Sequence, residues 1–101
     1  MPLEKLHDFS ISRLSILDEN GKVDHRLRPT LTNPQLIDLF SWMTVLRIFD
    51  DKALKLQRQG RIGTYASSLG QEACTIGSGF AMKPQDWTFP AFREHGVFFV
   101  R

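Results

Sequence analysis

Thr32–Gly60, TNPQLIDLFSWMTVLRIFDDKALKLQRQG, is the stretch from which the rest of the chain can be read. Thr32 or Asn33 supplies a capping oxygen, Pro34 suits the first helical turn, and Gly60 stands where a left-handed C-terminal stop belongs. The roughly 26 residues between them contain no breaker and predict one helix about 39 Å long. Leu36, Phe40 and Met43 share one face, while Trp42, Val45, Leu46, Phe49, Ala53 and Leu56 spread over neighbouring faces. So broad an apolar arc in the first half exceeds what one packing partner covers. The second half, from Asp50-Asp51-Lys52 through Lys55, Gln57 and Arg58, is expected to meet solvent. With 101 residues in all, little remains to cover the first half. The helix is therefore expected to be buried by another chain or by sequence absent here.

Moving outward, Gln59–His95 reads QGRIGTYASSLGQEACTIGSGFAMKPQDWTFPAFREH. Its glycines stand beside polar side chains, a pattern suited to sharp turns or close approach to a ligand rather than to core filling. Arg61–Tyr65 reads as a turn or short extended piece. A second helix is predicted to open on Gly70-Gln71-Glu72-Ala73 and to run through Ala81 or Met82. Its residues are small, and glycine inside a helix costs about 1 kcal/mol relative to alanine. Such a helix is expected where another backbone packs very close. Trp87-Thr88-Phe89 predicts a short buried strand, Pro90–Gly96 a loop, and Val97–Val100 an apolar tail.

Residues 1–32 form the other flank, read as an extended arm, with 33–101 as the body. Ser12–Leu17 alternates loosely and meets the turn signal Asn20-Gly21, and Lys22–His25 is expected to return as a short strand. A lone hairpin is marginal in water, so the arm is expected to lie on something else. Arg28-Pro29 keeps the chain extended afterwards.

Hydrophobic content of 42% and charged content of 24% are ordinary for a globular chain, and the length allows a single small domain. A net charge of +2, with basic residues scattered among acidic ones, argues against a nucleic-acid or membrane surface. One cysteine, Cys74, excludes an internal disulfide. No apolar run reaches membrane-spanning length and the start lacks a signal peptide's apolar stretch, so the expected location is cytoplasmic.

Arg93 beside Phe92 is the strongest chemical signal. The ring excludes water while the planar, permanently charged guanidinium suits phosphate oxygens. The structural alternative pairs Arg93 with Glu94, Asp86 or a carbonyl. Gly70 opens a helix whose free N–H groups suit an anion, although Glu72 in the first turn equally complements the helix dipole. His95 either acts on a ligand or serves as a structural hydrogen-bonder. Tyr65, Ser67 and Ser68 line a pocket or simply build a loop, and Cys74 reads as packing. There is no Ser/His/Asp arrangement, zinc spacing, phosphate-loop signature or GxGxxG.

Arg58-Gln59-Gly60-Arg61-Ile62-Gly63, then Gly70-Gln71-Glu72-Ala73, then Phe89-Pro90-Ala91-Phe92-Arg93-Glu94-His95-Gly96 resemble the alpha subunit of thiamine-diphosphate-dependent 2-oxoacid dehydrogenases, the E1 component of pyruvate and branched-chain complexes. Leu17–Gly21 resembles the N-terminal arm of that family, and Phe49–Gly60 the end of its first long helix. The resemblance implies an α/β fold for the whole family, this portion being mainly α-helical with an extended arm and short strands. It implies oxidative decarboxylation of a 2-oxoacid and transfer of the acyl group to a lipoyl-bearing E2. It implies thiamine diphosphate with Mg2+, held between alpha and beta subunits in an assembly containing a second alpha subunit.

By that resemblance Arg93 binds the diphosphate. Phe92 occupies a position usually held by tyrosine, so one hydroxyl contact is missing while the wall remains. Ala66 takes a position that is a pocket histidine in some pyruvate enzymes; Tyr65 and Ser67 shape the substrate end, and His95 stands behind Arg93. The family's Gly-Asp-Gly…Asn magnesium signature lies downstream of this sequence. A premature stop, a split gene or a shortened product is therefore expected, and the chain alone is expected to be inactive. Pyruvate is preferred, because the Leu-Asp-Glu-Asn-Gly arm and Gln71 resemble pyruvate-type subunits. The alternatives are a branched-chain enzyme or a non-catalytic helical interaction module.

Overall fold

The computed structural model describes residues 2–101, which fall into two compact units, one ending at Thr30 and the other spanning Leu31–Arg101. In the first unit the chain reverses at Asp18–Gly21. Asp18 Oδ1 accepts from the N–H groups of Asn20 (2.9 Å) and Lys22 (2.7 Å), and Gly21 takes a φ of 78°. Leu17 and Val23 form an isolated antiparallel bridge.

Pairing stops there, and the short strands expected in this mainly α-helical portion are absent: the described residues contain helices and no strand. One bridge without a further strand, or an apolar face to bury, does not extend into a ladder. Trp87–Phe89, predicted as a buried strand, is extended loop with Trp87 84% and Phe89 88% exposed. A strand needs a neighbouring edge to take its N–H and C=O groups, and none is present among the described residues.

The second unit is organised by helix α1, Asn33–Arg58. Thr32 is its N-cap: Thr32 Oγ1 accepts from the Gln35 N–H at 3.4 Å, and Gln35 Oε1 accepts from the Thr32 N–H at 2.9 Å. This reciprocal box satisfies two otherwise unpaired donors. At the other end Gly60 has a φ of 69°, its N–H reaches the Gln57 carbonyl, and the Arg61 N–H reaches the Leu56 carbonyl, both at 2.9 Å. That pair of bonds is a Schellman stop, which needs a left-handed residue and so favours glycine.

Helix α2, Glu72–Ala81, and a 3-10 helix, His95–Phe99, pack against α1 and each other. Leu46, Ala53, Ile76 and Val97 form the apolar core. The three elements come closest at Gly96, where a Cβ would overlap Thr75 Oγ1 and lie 2.6 Å from Leu46 Cδ2. A Cβ at Gly79 would stand 2.6 Å from Val100 Cγ2 and 3.0 Å from the Val97 carbonyl, so small residues in α2 do admit a neighbouring backbone. Glu72, buried in the first turn of α2, pairs with the Arg47 guanidinium and ties that turn to α1. Cys74 is exposed rather than packed. Of the apolar arc, Phe40 remains largely exposed and Leu36, Trp42, Val45 and Phe49 are each partly exposed, as are Ile37 and Ile48 beside them, while Leu46 and Ala53 are buried.

Candidate functional site

One carboxylate organises the site. Asp50 sits on α1 between Leu46 and Ala53, at positions i, i+4 and i+7 of one helical stripe, and is 2% exposed. Its Oδ1 accepts from the Tyr65 hydroxyl (2.8 Å), the Ser68 N–H (2.7 Å) and the Ser68 hydroxyl (3.3 Å). Its Oδ2 accepts from the Ser67 hydroxyl at 2.6 Å. Four donors thus fasten residues 65–68 to the long helix. Burial alone pushes the Asp50 carboxyl upward, but the bonds from Ser67, Ser68 and Tyr65 outweigh it and hold the group below the usual carboxylate range. Tyr65 moves the opposite way: burial, the bond to Asp50 and the charge of Asp50 all raise its pKa, so it remains a neutral donor.

From this anchor the network reaches the 3-10 helix. The Tyr65 hydroxyl lies 3.1 Å and the Ser68 hydroxyl 3.4 Å from His95 Nε2. The His95 ring is stacked obliquely among Tyr65 and Phe49, with centroids 5.6 and 5.9 Å away. Together with Ala66, Phe92 and Phe99 these residues line an open, largely aromatic cavity of about 600 Å³.

Tyr65, Ala66, Phe92 and His95, singled out in the sequence, therefore border one cavity. Ser67 is turned toward Asp50, and its carbonyl accepts a hydrogen bond from the Arg93 guanidinium. Of the alternatives for Arg93, the carbonyl is the one formed. Glu94 instead accepts from the N–H groups of Ala91 (2.9 Å) and Arg93 (3.3 Å), closing its own loop. Beyond that single bond, the guanidinium has no protein acceptor among the described residues. The Phe92 ring is 82% exposed. No group of three or more His, Cys, Asp or Glu among the described residues stands ready to hold a metal.

Asp50 is the residue of this candidate site that sequence reasoning assigned to solvent. The available signal was its register: a carboxylate four residues after Leu46 and three before Ala53 lies on their stripe. Its donors are 15 to 18 residues further along the chain, beyond any helical periodicity.

The family described as "Dehydrogenase E1 component" matches residues 41–101, and the chain belongs to that family. Within it, the chain is 44% identical over 85 residues to the pyruvate dehydrogenase E1 component subunit alpha of Acholeplasma laidlawii, covering 83% of this chain and 25% of that protein. It is 43% identical over 82 residues to the subunit of the same name from Staphylococcus aureus strain Mu50, covering 80% and 22%. The Staphylococcus epidermidis subunit is 42% identical over 82 residues, with the same coverage. The chain thus spans about a quarter of the length of these relatives. No solved structure matches it. No helix among the described residues is long and apolar enough to cross a membrane.

Proposed function

We propose that this chain is the N-terminal part of a pyruvate-type, thiamine-diphosphate-dependent E1 alpha subunit, with residues 1–32 as its arm and 33–101 as the start of its cofactor-binding domain. The observation that carries the reading is 44% identity across 83% of the chain to a protein named for pyruvate dehydrogenase. The relatives' names favour pyruvate over branched-chain 2-oxoacids. The activity is oxidative decarboxylation with acyl transfer to lipoyl-E2, and the partners are a beta subunit, a second alpha subunit and E2.

The donor set fits one side of the cofactor. Arg93 keeps guanidinium N–H donors beyond its bond to Ser67, and these suit diphosphate oxygens. Phe92, next to Arg93 in sequence, is one wall of the open aromatic cavity and offers the cofactor an apolar surface. Phe92 offers no hydroxyl, so a charge-assisted bond of about 1.5–3 kcal/mol is absent. Tyr65, Ala66 and Ser67 stand at the substrate end, and His95 stands behind Arg93. When bound, thiamine diphosphate supplies the electron sink for decarboxylation; the residues here bind and orient it. Magnesium would be held by sequence beyond this chain.

Two measurements test the reading. The DNA following the Arg101 codon is expected to continue, in some frame, into a Gly-Asp-Gly…Asn signature; its absence from all frames would overturn the assignment. Calorimetry of the 101-residue chain with thiamine diphosphate and Mg2+ is expected to detect no appreciable binding. Micromolar binding would show that the clamp is complete within this chain.

A further inference from the structure

We propose that Asp50 is a positioning residue: through the hydroxyls of Tyr65 and Ser68 it holds the His95 ring with its proton on Nε2, leaving Nδ1 as the ring's basic nitrogen. The argument is one of proton count. An ionised carboxylate only accepts, and a hydroxyl has a single proton to give. Tyr65 is 2.8 Å from Asp50 Oδ1 and 3.1 Å from His95 Nε2, so the same oxygen touches both groups. Ser68 repeats the arrangement at 3.3 and 3.4 Å.

Because Asp50 is buried and charged, it takes the hydroxyl protons; a charge-assisted bond is stronger than the neutral bond to an imidazole nitrogen. Each hydroxyl then presents a lone pair to Nε2, and Nε2 must carry the hydrogen. The second-neighbour bond that selects a histidine tautomer is here relayed by two hydroxyls instead of being made directly. Among the described residues no protein group bonds to Nδ1. That atom is left to accept a proton or a hydrogen bond. Its use by a ligand rests on the cavity being the cofactor and substrate site; the tautomer itself does not.

The experiment uses the ligand-free, 15N-labelled 101-residue chain, so its outcome is independent of cofactor binding. Long-range proton–nitrogen correlation of the imidazoles is recorded at about pH 8, above the ordinary histidine range. His95 is assigned by the loss of its signals in His95→Gln. The expected result is a protonated Nε2 and an unprotonated Nδ1, with the Nε2–H form favoured about tenfold or more. Tyr65→Phe combined with Ser68→Ala leaves Asp50 in place but cuts both relays, and the preference is expected to fall severalfold. Asp50→Asn keeps the shape with a neutral acceptor and is expected to lower it too. Where the double variant loses its helical circular dichroism, Tyr65→Phe alone gives the same reading. A wild-type Nδ1–H form, or a ratio unchanged in these variants, overturns the proposal.

Discussion

Two stripes of the same helix are treated in opposite ways. On one, Leu46, Asp50 and Ala53 are buried, and the charged residue is as deeply covered as its apolar neighbours. On the other, Ile37, Phe40 and Ile48 lie largely exposed although each is strongly apolar. Side-chain polarity does not separate the two. What separates them is whether the rest of the chain brings partners: residues 65–68 supply four donors to Asp50, while little packs over Phe40. A buried carboxylate is tolerated because every bond it makes offsets its desolvation.

The largest contrast is expected between Leu46→Ala and Phe40→Ala. Leu46→Ala should cost about 3 kcal/mol by leaving a cavity beside Gly96, while Phe40→Ala should change stability by less than about 0.5 kcal/mol. Urea unfolding of the 101-residue chain measures both. Equal losses would mean that the Phe40 face is covered after all and the comparison fails.

Next in size is the pair of adjacent carboxylates. Asp50→Ala strands the buried donors of Ser68 and the part-buried hydroxyls of Tyr65 and Ser67 and should cost about 2–3 kcal/mol. Asp51→Ala breaks only an exposed bond to Lys55, at 2.6 Å, and should cost about 0–0.5 kcal/mol. The pH dependence sharpens this. The folded Asp50 carboxyl lies below its ordinary value, so its contribution is fully present above about pH 4 and is lost as pH falls below that. Tyr65 is raised, so its contribution is present below about pH 10 and is lost as pH rises beyond it. The gap between wild type and Asp50→Ala, followed by thermal melts, should therefore narrow in acid. A gap that stays constant down to pH 2 would remove the carboxylate's charge from the account.

A smaller loss than that of Leu46→Ala or Asp50→Ala is expected at the helix start. Thr32→Ala breaks the capping box and should cost about 1 kcal/mol, with Ser in its place restoring most of the loss. A loss as large as that of Asp50→Ala in the same melts would move the weight of the helix from the network to its cap.

Local signals made α1 legible, because Thr32, Pro34 and Gly60 act on residues within one turn of themselves. The same holds for α2, opened near Gly70-Gln71-Glu72 and closed after Ala81. The strands were misread because alternation in Ser12–Leu17 or aromatic content in Trp87–Phe89 states a preference, while a strand exists only when another edge pairs with it. At the site, Arg93, Phe92, Tyr65, Ala66, Ser67 and His95 were singled out from residue type and family resemblance. Asp50 was passed over because its neighbours in sequence, Asp51 and Lys52, are charged and exposed.

The sequence by itself determined the two helices, their ends and the family, since caps, breakers and ordered motifs are properties of short stretches of chain. Only the tertiary structure decided which face of α1 is covered, that the Asp50 carboxylate gathers Tyr65, Ser67 and Ser68, and that Arg93 leans on the Ser67 carbonyl. Those outcomes depend on residues 15 or more positions apart meeting in space, and the free energy of a buried charge depends on its partners.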